Sequence, residues 1–130
     1  MSEADATYPC PCCGYLMFAE PPGAPDNHIC AICFWADCLS QLRFVTSIGA
    51  NDVSLVDAQA NYAAFGACEK SMEAHVRKPG PFERRDTLWR PFDVTHEAVE
   101  EEPPGGAYFL ADDAFDPDPT AYYYWRKRDF

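Results

Sequence analysis

The chain lacks long apolar runs, has few basic residues and contains only three histidines. No stretch approaches the roughly 18 apolar residues that a membrane-spanning helix requires, so none is expected. The opening Met-Ser-Glu-Ala-Asp-Ala-Thr-Tyr is acidic and lacks the apolar centre of a secretory signal. The expected location is therefore a reducing cytoplasm, where stable disulfides are uncommon. The cysteine count, seven, is odd, which argues against a fully paired disulfide framework. Ten Lys and Arg stand against 21 Asp and Glu, giving a formal charge of −11. Such an acidic surface repels phosphate backbones, so nucleic-acid binding is not expected, and it steers a basic protein partner instead. No repeat occurs beyond two cysteine pairs, and no low-complexity tract is present.

At 130 residues the chain is the size of one domain. It is long enough to bury a core without needing metal or disulfides merely to fold. The charge is uneven: residues 76–90 hold five bases (Arg77, Lys78, Arg84, Arg85, Arg90), whereas residues 91–125 hold nine acids and no base. The basic stretch reads as a solvated face, or as a partner of the acidic tail within the chain.

Chemistry is concentrated at residues 9–38. Cys10-Pro-Cys-Cys13 and Cys30-Ala-Ile-Cys33 form a Cys-x2-Cys-x16-Cys-x2-Cys pattern, the spacing of a structural zinc site. Two cysteines three apart on a tight turn direct both sulfurs at one ion. Gly14 permits the left-handed backbone such a turn needs, and Pro11 stiffens it. Phe34 holds the equivalent place after the second pair, a less suitable residue. Tyr15 to Phe18, a Pro-Pro-Gly turn and His28-Ile29 read as a hairpin joining the two pairs. The expected site is one structural zinc ion on Cys10, Cys13, Cys30 and Cys33. Four thiolates close the shell and leave no position for a catalytic water. With zinc bound, the formal charge moves from −11 to −13, counting four thiolates and one divalent ion.

The other thiols need roles. Cys12 points away from the ion if Cys10 and Cys13 both bind it, although Cys12 in place of Cys10 stays open. Cys38 is a spare thiol or a substitute ligand, and Cys68 a small buried apolar group. His28 is expected beside the site or in solvent. His75 and His96 have no visible partner. A thioredoxin-like redox motif would need a parallel α/β pattern, which is not found.

Downstream, Gly49-Ala-Asn51 is a turn. Ser54 with Asp57 resembles a capping box, Leu55, Ala58, Tyr62 and Phe65 recur at helical spacing, and Gly66 is the stop. A second helical piece is expected through Glu69 to Val76. Ala107–Ala111 and Ala121–Arg126 read as short aromatic strands around an acidic loop, either core or a docking face.

Cys-Pro-Cys-Cys-Gly-Tyr at 10–15, Ile-Cys-Ala-Ile-Cys-Phe-Trp at 29–35, Gly-Ala-Asn at 49–51, Ser-Leu at 54–55, Asn-Tyr at 61–62, Phe-Gly-Ala at 65–67 and Val-Arg-Lys-Pro at 76–79 together resemble the bacterial cysteine-rich CPCC domain. The resemblance covers roughly residues 9–86 and implies a small zinc-binding domain, without supplying a reaction. Two departures stand out. Family members tend to carry Glu-Asp-Asp where this chain has Ala36-Asp37-Cys38, and Arg where it has Gln59, so a helix-to-turn ion pair is lost.

The expected fold is therefore small α+β: a zinc-ribbon-like hairpin on one or two short helices, with a C-terminal aromatic strand extension. The expected divisions are a flexible N-terminus (1–8), a zinc-binding domain (9–86) and an acidic, aromatic extension packing on it (87–130). The expected function is protein binding rather than catalysis. A concrete form is an immunity protein that covers the cationic site of a basic toxin such as a nuclease. Glu100, Glu101, Glu102, Asp112, Asp113, Asp116 and Asp118 would meet the partner's cations, and Tyr122, Tyr124 and Trp125 would anchor the dry centre. The alternatives are a thiol-based redox factor or enzyme using Cys12 or Cys38, and a structural accessory domain.

Overall fold

A computed structural model describes residues 8–23, 27–101 and 115–126. Its elements in chain order are β1 (Tyr8–Pro9), β2 (Leu16–Phe18), α1 (Leu39–Arg43) and α2 (Leu55–Phe65), followed by 3-10 turns at Lys70–His75, Pro119–Tyr122 and Tyr124–Arg126. No described helix is long and apolar enough to cross a membrane.

β1 and β2 pair antiparallel, Tyr8 opposite Phe18 and Pro9 opposite Leu16, so the reversal between them is the first cysteine turn itself. This pairing differs from the expected hairpin between the two cysteine pairs. The reason is local: Gly14, at φ 83°, turns the chain sharply enough to send Leu16 back beside Pro9. Ile29 bridges Ala36 in the same way around the second cysteine turn. Each pair of sulfurs thus sits at the tip of its own short reversal.

α2 forms as its sequence predicts. Ser54 caps it by accepting from Asp57 N, and Gly66 ends it at φ 83°. Leu55, Ala58 and Gln59 are its buried positions, while Tyr62 packs on the core from its edge. The piece after Glu69 is a 3-10 turn rather than an α-helix.

Gln41 and Asn51 brace the second cysteine turn. Asn51 accepts from Ala36 N through Oδ1 (2.8 Å) and donates to Ala36 O through Nδ2 (2.8 Å), imitating a strand partner. Gln41 accepts from Asn51 Nδ2 (2.9 Å) and donates to Ser47 O (3.0 Å) and Val53 O (2.8 Å). Buried amides of this kind are tolerated because every polar atom is satisfied.

The expected strand at Ala121–Arg126 is corrected to two 3-10 turns. Asp118 caps the first through Thr120 N, and Pro119 at its start favours helical φ, so the segment coils before strand pairing can begin. Three of its four consecutive aromatics, Tyr123, Tyr124 and Trp125, are buried in the cluster that holds the cysteines. Alternating strand geometry would have turned one of them to solvent. The expected strand at Ala107–Ala111 and residues 1–7 of the N-terminal segment lie outside the described residues.

The basic stretch is spread over several partners. Arg77 pairs with Glu83 (2.6 Å), Arg90 with Glu97, and Asp86 receives Arg126 (3.0 Å). Of the acidic tail, Glu100 reaches Arg43 instead (2.8 Å).

Candidate metal centre

The two cysteine turns repeat one hydrogen-bond pattern. Gly14 N donates to Cys10 O (2.6 Å) and Cys10 N to Tyr15 O (2.8 Å); Phe34 N donates to Cys30 O (2.8 Å) and Cys30 N to Trp35 O (2.9 Å). Phe34 occupies the left-handed region at φ 71°, where Gly14 stands in the first turn. A left-handed non-glycine residue costs about 1–2 kcal/mol, so closing the second turn outweighs that strain. The ring of Phe34 lies against His75, with centroids 5.4 Å apart.

Four sulfurs meet between these turns. Cys10 Sγ lies 3.5 Å from Cys33 Sγ and Cys13 Sγ lies 3.7 Å from Cys30 Sγ, and all four sulfurs fall within 4.8 Å of one another. An ion with tetrahedral metal–sulfur bonds of about 2.3 Å sets its sulfurs about 3.8 Å apart. The observed spacings fit that shell. All four residues are fully buried. Burial pushes the Cys10 and Cys33 thiols well above their ordinary range, and the neighbouring thiols push them further. Hydrogen bonds from Cys10, Cys13 and Cys33 pull Cys30 well below it. A divalent cation among the four sulfurs would offset the burial that holds Cys10 and Cys33 neutral.

The backbone around the sulfurs is tied from outside. Arg85 Nε donates to Cys13 O (2.9 Å), and its guanidinium lies between the rings of Tyr15 (4.8 Å) and Trp89 (4.9 Å). Pro11 O accepts from Trp89 Nε1 (2.9 Å) and from Gln59 Nε2 (2.9 Å). Gln59 Nε2 also donates to Tyr124 Oη (2.7 Å), Gln59 Oε1 accepts from Phe92 N (2.9 Å), and Tyr124 Oη donates to Arg90 O (2.6 Å). The Gln59 amide is thus a buried junction joining α2, the first cysteine turn and the C-terminal segment. A single chain offers no signal for this role beyond its polarity on a buried helical position.

A family model described as cysteine-rich CPCC matches residues 8–83. The chain belongs to the cysteine-rich CPCC family. No curated protein and no solved structure matches it. The matched region holds all four cluster cysteines, whereas Arg85 and Trp89, which bond the CPCC turn, and Phe92 and Tyr124, which bond Gln59 behind it, come from beyond it.

The remaining thiols of the CPCC chain stand apart from the four. Cys12 is buried and donates to Ala58 O (3.4 Å), with burial pushing its thiol up. Cys38 lies before α1 with Sγ 3.3 Å from Ser40 Oγ. Cys68 is buried and its thiol is pushed up to about 12, chiefly by desolvation. His28 contacts Glu20 (2.8 Å) and His96 contacts Asp93 (2.8 Å), so neither belongs to the cluster.

Asp37 is the unexpected group. It is buried, Oδ1 has no hydrogen-bond partner among the described residues, and desolvation pushes its carboxyl up to about 7. The Trp35 Nε1 and Tyr123 Oη atoms are likewise buried and unpartnered among the described residues.

The residues expected to meet a partner divide sharply. Glu101, Asp116 and Asp118 are exposed, and Asp118 also caps the 3-10 turn through Thr120 N. Glu100 grips Arg43, and Tyr122 is half-buried with its hydroxyl accepting from Asp116 N (2.6 Å). Tyr124 and Trp125 are corrected from partner anchors to core, because their rings are covered by the chain itself. Glu102, Asp112 and Asp113 lie outside the described residues.

Proposed function

We propose that the cysteine cluster holds one structural zinc ion and that the folded chain acts by binding a basic protein. The observation that carries the metal reading is the closed, buried set of four sulfurs, all within 4.8 Å. Soft thiolates in a tetrahedral set select zinc over hard cations, and a filled shell suits a structural role. The formal charge of −11 supports a cationic partner, and Glu101, Asp116 and Asp118 hold exposed carboxylates for it. An immunity protein that covers the basic active surface of a toxin, such as a nuclease, is the concrete form. The reducing cytoplasm, which keeps thiols available to metal, is the proposed location.

Cys12, buried with its thiol pushed up, and Cys38, buried with its sulfur beside Ser40 Oγ, favour binding over thiol catalysis, because a reactive cysteine needs an accessible thiolate. Native mass spectrometry of gently purified chain, with and without co-expressed basic toxins, reads metal and partner together. The expected result is one zinc per chain and a complex that weakens with salt. A chain without metal overturns the zinc reading; salt-insensitive association, or association only with acidic proteins, overturns the partner reading.

A further inference from the structure

Two clefts meet at one side chain. Ile29 is half exposed and lines a 360 Å³ cleft with Met17 and Glu20. It also lines a 120 Å³ cleft with Phe34, Met72, Asp52 and Glu69. The left-handed backbone at Phe34 places that ring on this side of the second cysteine turn, over His75. The smaller cleft is below the roughly 300–1,000 Å³ of small-molecule sites, and its size suits one protruding side chain.

The charged residues lining the smaller cleft are both acidic, whereas in the 360 Å³ cleft Glu20 already faces His28. Neither Asp52 nor Glu69 has an ion pair among the described residues, and no lysine or arginine lines either cleft. The larger 430 Å³ cleft at Arg43 and Arg90 is different, because Glu100 and Glu97 already occupy those guanidiniums. Apolar walls with unpaired carboxylates on the rim complement an aliphatic side chain flanked by cations.

We propose that the double cleft around Ile29 docks a partner-protein segment carrying an aliphatic side chain between Lys or Arg residues. The aliphatic group packs against Ile29, Phe34 and Met72, and the flanking cations meet Asp52 and Glu69. This places the contact on the face of the second cysteine turn rather than on the C-terminal aromatics, and it rests on the basic-partner reading.

The test is a two-dimensional NMR titration of the zinc-loaded full chain with two peptides. One is acetyl-Lys-Arg-Ile-Lys-Arg-amide, and the other is oligolysine of the same length. Saturable shifts at Ile29, Phe34 and Met72 with the isoleucine peptide are expected. The Asp52→Asn/Glu69→Gln variant should weaken that peptide about tenfold, and Ile29→Ser should remove its advantage over oligolysine. Both variants alter exposed or rim positions, and an unchanged spectrum away from the cleft checks their fold. Salt-sensitive shifts centred on Glu101, Asp116 and Asp118 for both peptides overturn the cleft and keep the basic partner. No salt-sensitive binding of either peptide overturns both.

Discussion

Replacing Gly14 by alanine tests how the C-terminal segment seats on the first cysteine turn. Gly14 sits at φ 83°, so any Cβ there is strained by about 1–2 kcal/mol. The added carbon would also stand 2.5 Å from Trp89 Cδ2, 2.7 Å from Cγ and 2.8 Å from Cε3. These atoms belong to the body of the ring, which is held by its bond to Pro11 O and by stacking on Arg85. The ring must leave, with about 1–3 kcal/mol of overpacking and a lost hydrogen bond of about 1 kcal/mol. The expected destabilisation is about 3–6 kcal/mol. Gly66→Ala is the matched control, because Gly66 has the same φ of 83° and nothing lies within 4 Å of its added Cβ. That variant should lose only the backbone strain of about 1–2 kcal/mol. Urea unfolding of both variants at one fixed free-zinc concentration gives the difference directly. The double variant Gly14→Ala/Trp89→Ala should then cost only the backbone strain, about 1–2 kcal/mol, beyond Trp89→Ala alone. Equal losses for the two glycine variants would mean that Trp89 does not occupy the notch, and this seating would be wrong.

Removal of metal by a chelator, or Cys30→Ser, should lower the thermal midpoint and remove bound zinc, measured by calorimetry and metal analysis; an unchanged midpoint refutes a structural role. Gln59→Leu leaves Pro11 O with one donor fewer and Phe92 N unpaired, so a loss of about 2–4 kcal/mol is expected in denaturant unfolding, and a loss below about 1 refutes the junction. Asp37 makes stability depend on pH. With its carboxyl pushed up to about 7, the folded state binds the extra proton from about pH 4 to about pH 7, so stability falls as pH rises through that window and levels off above it. Asp37→Asn should gain on the parent by up to roughly 4 kcal/mol between pH 4 and pH 8, and parallel stability curves would refute the buried carboxyl.

The features legible in the sequence were those set by neighbours along the chain. The cysteine spacing, the Ser54 cap and the Gly66 stop each depend on a few adjacent residues, and the structure has all three. Phe34 was harder, because a phenylalanine gives no local sign of a left-handed backbone; only its equivalence to Gly14 in the repeated turn hints at it. The run Tyr122 to Trp125 has the composition of a strand, yet Asp118 and Pro119 start it coiling and the core buries three consecutive rings, Tyr123 to Trp125. The pairing of Tyr8–Pro9 with β2, and the junction at Gln59, are contacts between distant residues that no single segment encodes.

The carbonyl of Pro11 accepts two protons, one from a helix inside the family region and one from Trp89 outside it. Residues downstream of the matched region therefore complete the hydrogen bonding of the first cysteine turn in this protein. A family member that stops where the shared region stops must shield that oxygen with another donor or leave it to solvent, and its grip on the metal loop should differ accordingly.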